Sequence, residues 1–235
     1  MTWALVFDLD DTLVEEAEFQ DSAACAVARY LESFGCHPNL VASAMNAADP
    51  PGSPRRYQQV LNHLAAHHPS ITDVSVDNLV RVHRQHPPQL SFRPDVLPML
   101  ETLRTIDVRL GIITDGPEIT QRNKLKAVDA SKYFQSIVIT DELGPNRTHW
   151  KPDPKPFQIA CKQLDVPPER TVYVGDNPAK DFYISATLPI TTVRLVRQKG
   201  THHGNSYLNE VAEHHSVGTL TEIPDLLRLI GAQEK

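Results

Sequence analysis

The sequence predicts an α/β fold in which a parallel sheet, covered by helices on both faces, carries an inserted helical unit. Short apolar runs rich in Val, Ile, Leu and Thr alternate with helix-like stretches over most of the chain, as in repeated βαβ units. The segment from residue 14 to residue 91 breaks this alternation, and several apolar runs end directly in Asp. Because the carboxyl ends of the strands line the ligand crevice of an open parallel sheet, these Asp residues predict a functional site there.

The predicted strands are short apolar runs, which lie at residues 4–7, 110–114, 136–140, 171–175 and 191–195. A weak sixth strand is predicted at 215–217. Helical patterns lie between these runs, at about 95–106, 118–128, 154–165 and 178–187, and a last helix is predicted near 221–230. We therefore expect a Rossmann-like core built from residues 1–13 and 92–235.

The interrupting segment, residues 14–91, has the pattern of a separate helical domain. Helices are predicted at 15–34, 56–67 and 75–86. Prolines divide and close the region, at Pro50-Pro51, Pro69 and Pro87-Pro88. Because both of its ends connect to the sheet, this domain is suited to act as a cap that closes over a site.

Composition narrows the function. The chain has 235 residues, with 23 Lys and Arg against 29 Asp and Glu, a net charge of −6. This acidity disfavours nucleic acid and anionic membrane as partners and leaves a small molecule as the expected one.

No apolar run approaches the roughly 18 residues of a membrane span, and the N-terminus has no basic leader. Three widely spaced cysteines, Cys25, Cys36 and Cys161, are typical of reduced thiols, so a cytoplasmic protein is expected. Nothing in the pattern indicates an oligomeric state.

Carboxylates gather at the predicted ends of the strands. Asp8 follows the first strand, with Asp10 and Asp11 close behind, whereas Asp176 follows the fourth strand and Asp181 lies slightly beyond it. Carboxylates crowded into one crevice repel each other, and a hard divalent cation relieves this repulsion. Mg²⁺ binds one or two protein carboxylates together with waters and a substrate phosphate. The pattern therefore predicts a Mg²⁺ site.

The same strand ends suit phosphoryl chemistry. Asp8 and Asp10 are two residues apart, so their side chains lie on one side of an extended chain. One carboxylate can attack phosphorus, and the other can serve as general acid and then as general base.

Donors for the oxygens of a phosphoryl group follow two further strands. Thr114 offers a hydroxyl, and the backbone N–H groups of Asp115 and Gly116 precede a predicted helix, which makes a natural anion site. Lys151, followed by Pro152, adds a positive charge on a backbone that the neighbouring prolines restrict.

Together these motifs resemble the haloacid dehalogenase superfamily. Four segments are similar to the family's four motifs, in order, namely residues 7–13, Thr114, Lys151 with Pro152, and Gly175-Asp176 through Asp181. The resemblance covers the predicted core, and the helical insertion is similar to the family's helical cap.

The resemblance implies a role for each motif residue. Asp8 is expected to be the nucleophile and Asp10 the general acid/base. Mg²⁺ is expected to bind Asp8, the carbonyl of Asp10, and Asp176. The remaining residues are expected to hold or orient these groups: Thr114 and Lys151 the phosphoryl oxygens, and Asp181 either Lys151 or a metal-bound water.

The sequence favours some of the family's activities over others. Asp10 indicates phosphoryl chemistry, because the family's dehalogenases generally lack this second Asp. Residues 14–91 contain no lysine, which disfavours the phosphonatases, whose cap lysine forms a Schiff base. The expected activity is a phosphatase acting on a sugar phosphate or a nucleoside monophosphate. A sugar-phosphate mutase and a non-catalytic binding module remain alternatives. The segment from Gln121 to Leu125 is similar to members that act on phosphorylated sugars, including acylneuraminate phosphatases, but it recurs in nucleotidases.

Other polar residues have plainer explanations. Asp11, Glu15 and Glu16 are expected to cap the following helix. Basic side chains of the helical domain form either a solvated polar face or a recognition surface for an anion: Arg55, Arg56, His63, His67, His68, His83, Arg84 and His86. The late histidines are expected in a solvated loop, because their spacing fits no known zinc pattern: His202, His203, His214 and His215.

Overall fold

The computed structural model describes residues 2–198, 200–202 and 204–233. They form two compact units. The sheet unit contains the residues up to Glu15 and those from Ser91 onward, and the helical unit is Glu16–Leu90.

The sheet unit is built on six parallel strands. They are β1 (Trp3–Phe7), β2 (Val108–Thr114), β3 (Ser136–Ile139), β4 (Thr171–Gly175), β5 (Thr191–Leu195) and β6 (His215–Val217). Their spatial order is β3-β2-β1-β4-β5-β6, and every neighbouring pair is parallel. The predicted α/β fold class is thus confirmed. The strand order reverses between β1 and β4, and open α/β sheets bind ligands at the carboxyl ends of the strands beside such a reversal.

The central strands are buried because their side chains are apolar on both faces of the sheet. All five residues of β1 and all five of β4 are buried. Tyr173 of β4 pairs with Val6 of β1 and packs edge-on against Phe157, with ring centroids 4.9 Å apart. This packing directs the only polar atom of the Tyr173 side chain toward the carboxyl end of the sheet, where its partners lie.

The helical unit contains four α-helices: α1 (Glu16–Glu32), α2 (Pro38–Ala47), α3 (Arg56–Ala65) and α4 (Val76–Gln85). It has an apolar core of its own, which includes Val27, Leu31, Val60, Leu64 and Leu79. Helix α2 was not predicted from the sequence. This helix begins at Pro38, whose fixed φ suits a first helical position, and the His37 imidazole accepts a hydrogen bond from the Asn39 backbone N–H.

The sheet unit adds α5 (Val96–Leu103), α6 (Glu118–Ala127), α7 (Pro154–Leu164) and α8 (Ile223–Gln233). The helix predicted at 178–187 is wrong, because this segment forms turns and a 3₁₀ helix at Tyr183–Ala186. Side chains explain the difference: the Asp181 carboxylate accepts a hydrogen bond from Asn177 N–H, and the Asn177 amide accepts one from Ala179 N–H. These local bonds compete with a helical backbone ladder.

Two expectations drawn from composition concern features that the structure describes. Cys25, Cys36 and Cys161 are all free thiols. Of the helices in the described part of the chain, none is both long and apolar enough to cross a membrane.

Candidate active site

The predicted site residues meet at the carboxyl ends of β1, β2 and β4. Asp8 directly follows β1, Thr114 ends β2, and Asp176 directly follows β4. The backbone N–H of Asp8 donates to the carbonyl of Val174 at 2.8 Å, so the chain continues the β1–β4 pairing up to Asp8, the predicted nucleophile. The parallel register thereby brings carboxylates from distant parts of the sequence into one place.

Lys151 lies at the centre of the site with a fully buried side chain. Its Nζ is 2.7 Å from Asp8 Oδ1 and 3.0 Å from Asp181 Oδ1, and it donates to the Tyr173 hydroxyl at 2.8 Å. The Tyr173 hydroxyl in turn donates to Asp181 Oδ1 at 3.1 Å. An ammonium group has three donors, and here each one has an acceptor. Tyr173 was not predicted from the sequence as a site residue.

This network fixes the charges of its members. Burial raises the pKa of Asp8, but the positive charges of Lys151 and Lys180 outweigh burial and hold that pKa below its usual range. Burial lowers the pKa of Lys151, but the carboxylates of Asp181 and Asp8 outweigh it and raise that pKa. Both shifts favour the same state, in which an ionised Asp8 faces a protonated Lys151.

The environment of Asp176 shifts its pKa in the direction opposite to that of Asp8. Its residue is only 8% exposed, and among the described residues its carboxylate has no hydrogen-bond or ion-pair partner. Burial, together with repulsion from Asp181 and Asp8, raises the pKa of Asp176 to about 8. Carboxylate oxygens of Asp8, Asp176 and Asp181 lie within 4.8 Å of one another. A buried, unpaired carboxylate in such a group fits a hard divalent cation, which prefers oxygen ligands.

Asp181 is already held by protein donors. Oδ1 is bound by Lys151 and Tyr173, and Oδ2 accepts a hydrogen bond from the Asn177 backbone N–H at 2.9 Å. Gly175 provides the space for this arrangement, since a Cβ at that position would lie 2.5 Å from Asp181 Oδ2. Asp181 thus contacts Lys151, one of the two groups that it was expected to orient.

Asp115 contributes its side chain to the site, although the sequence analysis considered only its backbone. Oδ1 accepts hydrogen bonds from the Lys151 backbone N–H at 3.1 Å and from the Thr140 hydroxyl at 2.9 Å. Oδ2 is 3.3 Å from Nζ of Lys180, which also lies 3.8 Å from Asp8 Oδ2. Lys180 is a second lysine beside Asp8 that the sequence analysis missed. Its position next to Asp181 in the fourth motif was the available signal.

Asp10 lies at the start of the turn after β1 and is bound by two side chains of α6. Its Oδ1 is 2.8 Å from Lys124 Nζ, and its Oδ2 accepts a hydrogen bond from Gln121 Nε2 at 2.9 Å. Gln121 Nε2 also donates to the buried Thr114 hydroxyl oxygen at 2.5 Å. Gln121 and Lys124 are three residues apart on a predicted helix, which places them on one face, but the sequence analysis gave them no role at the site.

Asp11 and Glu15 both approach Arg93. Asp11 has a left-handed backbone conformation with φ of 56°, and its Oδ1 lies 3.6 Å from the Arg93 guanidinium, whereas Glu15 lies 2.8 Å from it. Glu16 occupies the first turn of α1, where an acidic residue was expected. Thus Asp11 and Glu15 belong to a charged cluster with Arg93 in the sheet unit.

The late histidines separate in the structure. His202 is half-buried, and one ring nitrogen lies within 4.8 Å of carboxylate oxygens of Asp11 and Asp176. His214 instead accepts a hydrogen bond from the Thr192 backbone N–H at 3.0 Å. His203 lies outside the described residues. The expectation of a solvated loop therefore does not describe His202, which lies beside the carboxylates of the site.

Basic residues of the helical unit have local partners. The Arg55 guanidinium lies 3.3 Å from the Asp49 carboxylate, and Arg56 donates to the Asp49 carbonyl. His83 Nδ1 is 2.6 Å from the Tyr57 hydroxyl, and burial raises the pKa of Tyr57 to about 12. Each of these contacts lies within the helical unit.

Comparison with known proteins extends the resemblance found in the motifs. The family model described as haloacid dehalogenase-like hydrolase matches residues 5–194. The glyceraldehyde 3-phosphate phosphatase of Methanopyrus kandleri is 29% identical over 212 residues, covering 85% of this chain and 86% of the relative. The enzyme of the same name from Methanocaldococcus jannaschii is 25% identical over 235 residues, covering 97% and 98%. Human N-acylneuraminate-9-phosphatase is 31% identical over 147 residues, but these are 60% of this chain and 54% of that protein.

Solved structures share the fold. A HAD phosphatase from Thermococcus onnurineus superposes with a TM-score of 0.59 at 24% identity, covering 96% of this chain and 97% of that one. A 2-haloacid dehalogenase from Pseudomonas syringae gives a TM-score of 0.63 at 20% identity and covers both chains completely. At these identities the likeness establishes a common architecture.

Proposed function

The chain belongs to the haloacid dehalogenase-like hydrolase family, and from this premise we propose that it is a phosphatase that hydrolyses the phosphate monoester of a small sugar. Two relatives similar over most of their length are named glyceraldehyde 3-phosphate phosphatases. A three-carbon sugar phosphate is therefore the first substrate to test, ahead of nucleoside monophosphates.

One observation carries the mechanism: Lys151 Nζ holds Asp8 at 2.7 Å, and the pKa of Asp8 lies below its usual range. A carboxylate must be ionised to act as a nucleophile. In the first step an Asp8 oxygen forms a bond to phosphorus while the bond from phosphorus to the leaving oxygen breaks, and Asp10 gives that oxygen a proton. In the second step water attacks phosphorus, the bond to Asp8 breaks, and Asp10 accepts a proton from the water.

The phosphoryl oxygens need donors throughout both steps. Because the Thr114 hydroxyl oxygen accepts from Gln121, its own hydrogen is directed elsewhere and can bind a phosphoryl oxygen. The N–H groups of Asp115 and Gly116 complete the proposed cradle. Lys151, whose ammonium donors bind acceptors within the protein, contributes its positive charge beside Asp8. Lys180, which lies 3.8 Å from Asp8, adds a second positive charge beside the reacting group.

The donor set of the site fits Mg²⁺, because the buried Asp176 carboxylate has a pKa raised to about 8 and lies beside Asp8. Asp8, the carbonyl of Asp10, and Asp176 would hold the ion. Bound there, Mg²⁺ supplies positive charge that offsets the carboxylates and the phosphoryl oxygens. Asp181, whose oxygens already hold protein donors, serves to position Lys151.

We assign the helical unit the role of a cap domain that selects the substrate. This assignment rests on its place in the chain, between the first motif and the rest of the sheet unit. A cytoplasmic location fits the three free cysteines.

The test is phosphate release from glyceraldehyde 3-phosphate, other sugar phosphates, nucleoside monophosphates and p-nitrophenyl phosphate, each with Mg²⁺ and with EDTA. Asp8→Asn removes the nucleophile, and Asp225→Asn makes the same change at an exposed position. We expect release that requires both Mg²⁺ and Asp8 and is unaffected by Asp225→Asn. Conversion of a sugar phosphate to an isomer with little free phosphate would favour the mutase instead. Metal binding without turnover of any ester would favour a non-catalytic module.

A further inference from the structure

Two side chains of α6 bind both carboxylate oxygens of Asp10. Lys124 Nζ lies 2.8 Å from Oδ1, and Gln121 Nε2 lies 2.9 Å from Oδ2. The Lys124 side chain is 3% exposed and Gln121 is equally buried. We call this pair of residues the Asp10 clamp. All of its members belong to the sheet unit.

The geometry of the clamp is specific. An ionised carboxylate only accepts hydrogen bonds, so the amide of Gln121 must turn its nitrogen toward Asp10, and its second N–H then reaches the Thr114 hydroxyl oxygen. Gly116 leaves the space that this orientation needs, because a Cβ there would lie 2.9 Å from Gln121 Cδ. The Gln121 side chain of the clamp thus links Asp10, the proposed acid/base, to Thr114, the proposed phosphoryl-binding residue.

A buried lysine is costly unless it is paired. Lys124 is paired with Asp10 at contact distance, and this charge-assisted hydrogen bond fixes the direction of the Asp10 carboxyl group. A general acid must lie within hydrogen-bond reach of the oxygen that it protonates. The two donors that hold Asp10 therefore decide whether its carboxyl group is in place to deliver a proton.

We propose that Gln121 and Lys124 are positioning residues for Asp10, which hold its carboxyl group where it can protonate the leaving oxygen. The proposal rests on the phosphatase function proposed above. In the balanced step the proton moves from Asp10 to the leaving oxygen as its bond to phosphorus breaks and the Asp8–phosphorus bond forms. Lys124 and Gln121 keep their own protons and hold the Asp10 carboxyl group in place during this step.

This role depends on the leaving group. The alkoxide of a sugar phosphate needs a proton to leave, whereas p-nitrophenolate is a stable anion near neutral pH and leaves without one. A residue that assists proton delivery therefore affects the first ester strongly and the second weakly. A residue that only supports the fold affects both esters equally.

The experiment compares kcat/KM, which covers the steps up to loss of the leaving group, for a sugar phosphate and for p-nitrophenyl phosphate. Lys124→Met removes the charge, Lys124→Arg keeps it, and Lys126→Met makes the same change at an exposed position of α6. Gln121→Met removes the other donor and serves as a second variant if Lys124→Met does not fold. Thermal melting checks the fold of each variant.

We expect Lys124→Met to lower kcat/KM for the sugar phosphate by about 10- to 100-fold and for p-nitrophenyl phosphate by less than about 3-fold, as loss of assisted proton transfer predicts. Lys124→Arg should restore part of the difference, Gln121→Met should show a smaller one, and Lys126→Met should show none. Equal losses for the two esters in a folded Lys124→Met or Gln121→Met variant would overturn this proposal alone. If the wild type hydrolyses neither ester, the phosphatase function fails and the proposal fails with it.

Discussion

Charged side chains are used differently in the two units of the chain. In the sheet unit, the Lys151–Asp8 pair has side-chain exposures of 0% and 3%. In the helical unit, the Arg55–Asp49 pair has exposures of 78% and 27%. Burying charge costs several kcal/mol per ion unless the partners are well placed, so a cluster of buried charges indicates function more strongly than an exposed pair does. We therefore expect the chemistry of this chain at the buried charges of the sheet unit.

After loss of the nucleophile itself, the change with the largest expected effect alters no charge. Gly175→Ala places a Cβ only 2.5 Å from Asp181 Oδ2, and Asp181 is fully buried. The carboxylate must shift and take Lys151 with it. Because a displacement of about 1 Å in a catalytic group can cost about 100-fold in rate, we expect turnover to fall at least that far.

Steady-state kinetics of Gly175→Ala, with circular dichroism to check the fold, measures this effect. Gly204→Ala is the matched control, since among the described residues no atom lies within 4 Å of the Cβ it would add. Comparable activity in the two variants would mean that the position of Asp181 does not govern the site.

Removing the positive charge of the buried Lys151 tests, through the free energy of unfolding, whether the buried charges of the sheet unit stabilise one another. Lys151→Met leaves Asp8 and Asp181 without their shared partner, which for a buried pair costs about 3–5 kcal/mol in the free energy of unfolding. Urea denaturation of the wild type, Lys151→Met, Asp8→Asn and the double variant measures the coupling. We expect Asp8→Asn to recover part of the loss caused by Lys151→Met. Strictly additive losses would show that the two charges do not interact.

A half-buried carboxylate away from the site, that of Asp95, gives a pH-dependent prediction. Asp95 lies 2.9 Å from Arg197 and accepts hydrogen bonds from the Leu220 backbone N–H and the Thr219 hydroxyl, each at 3.0 Å. Burial raises the pKa of Asp95, but these partners outweigh burial and lower it. An Asp with a lowered pKa stabilises the fold above its unfolded pKa near 3.9, and that stability is lost as the pH falls through the folded value.

Asp95→Asn should therefore lower the free energy of unfolding by about 2 kcal/mol at pH 7, the size of hydrogen bonds to a charged group. The difference from the wild type should shrink as the pH falls below about 4. Urea denaturation across this pH range checks both points, and a difference that stays constant with pH would show that the Asp95 charge is not responsible.

The sequence was informative wherever a residue's position follows from local pattern. Apolar runs ending in Asp located Asp8 and Asp176, because the ends of parallel strands lie at one edge of a sheet. Tyr173 and Lys180 were missed, because their contacts with Lys151 and Asp8 depend on strand register and on an irregular turn. Helix α2 was missed, although it begins at Pro38 with a cap from the His37 side chain. The helix predicted at 178–187 does not form, because the Asn177 and Asp181 side chains accept hydrogen bonds from backbone N–H groups and compete with a helical ladder.

The smallest expected effect lies at the exposed pair of the helical unit. Hydrogen bonds from Ser53 and Gln59 already lower the pKa of Asp49, so this carboxylate keeps partners when Arg55 is removed. Exposed ion pairs often contribute nothing measurable to stability. We expect Arg55→Met to leave the urea midpoint and the hydrolysis of p-nitrophenyl phosphate unchanged. A clear rise in KM for a sugar phosphate, with no change for p-nitrophenyl phosphate, would instead make Arg55 a substrate-recognition residue. An exposed charge of the helical unit would then have a function, and buried charges of the sheet unit would not be the only functional ones among the described residues.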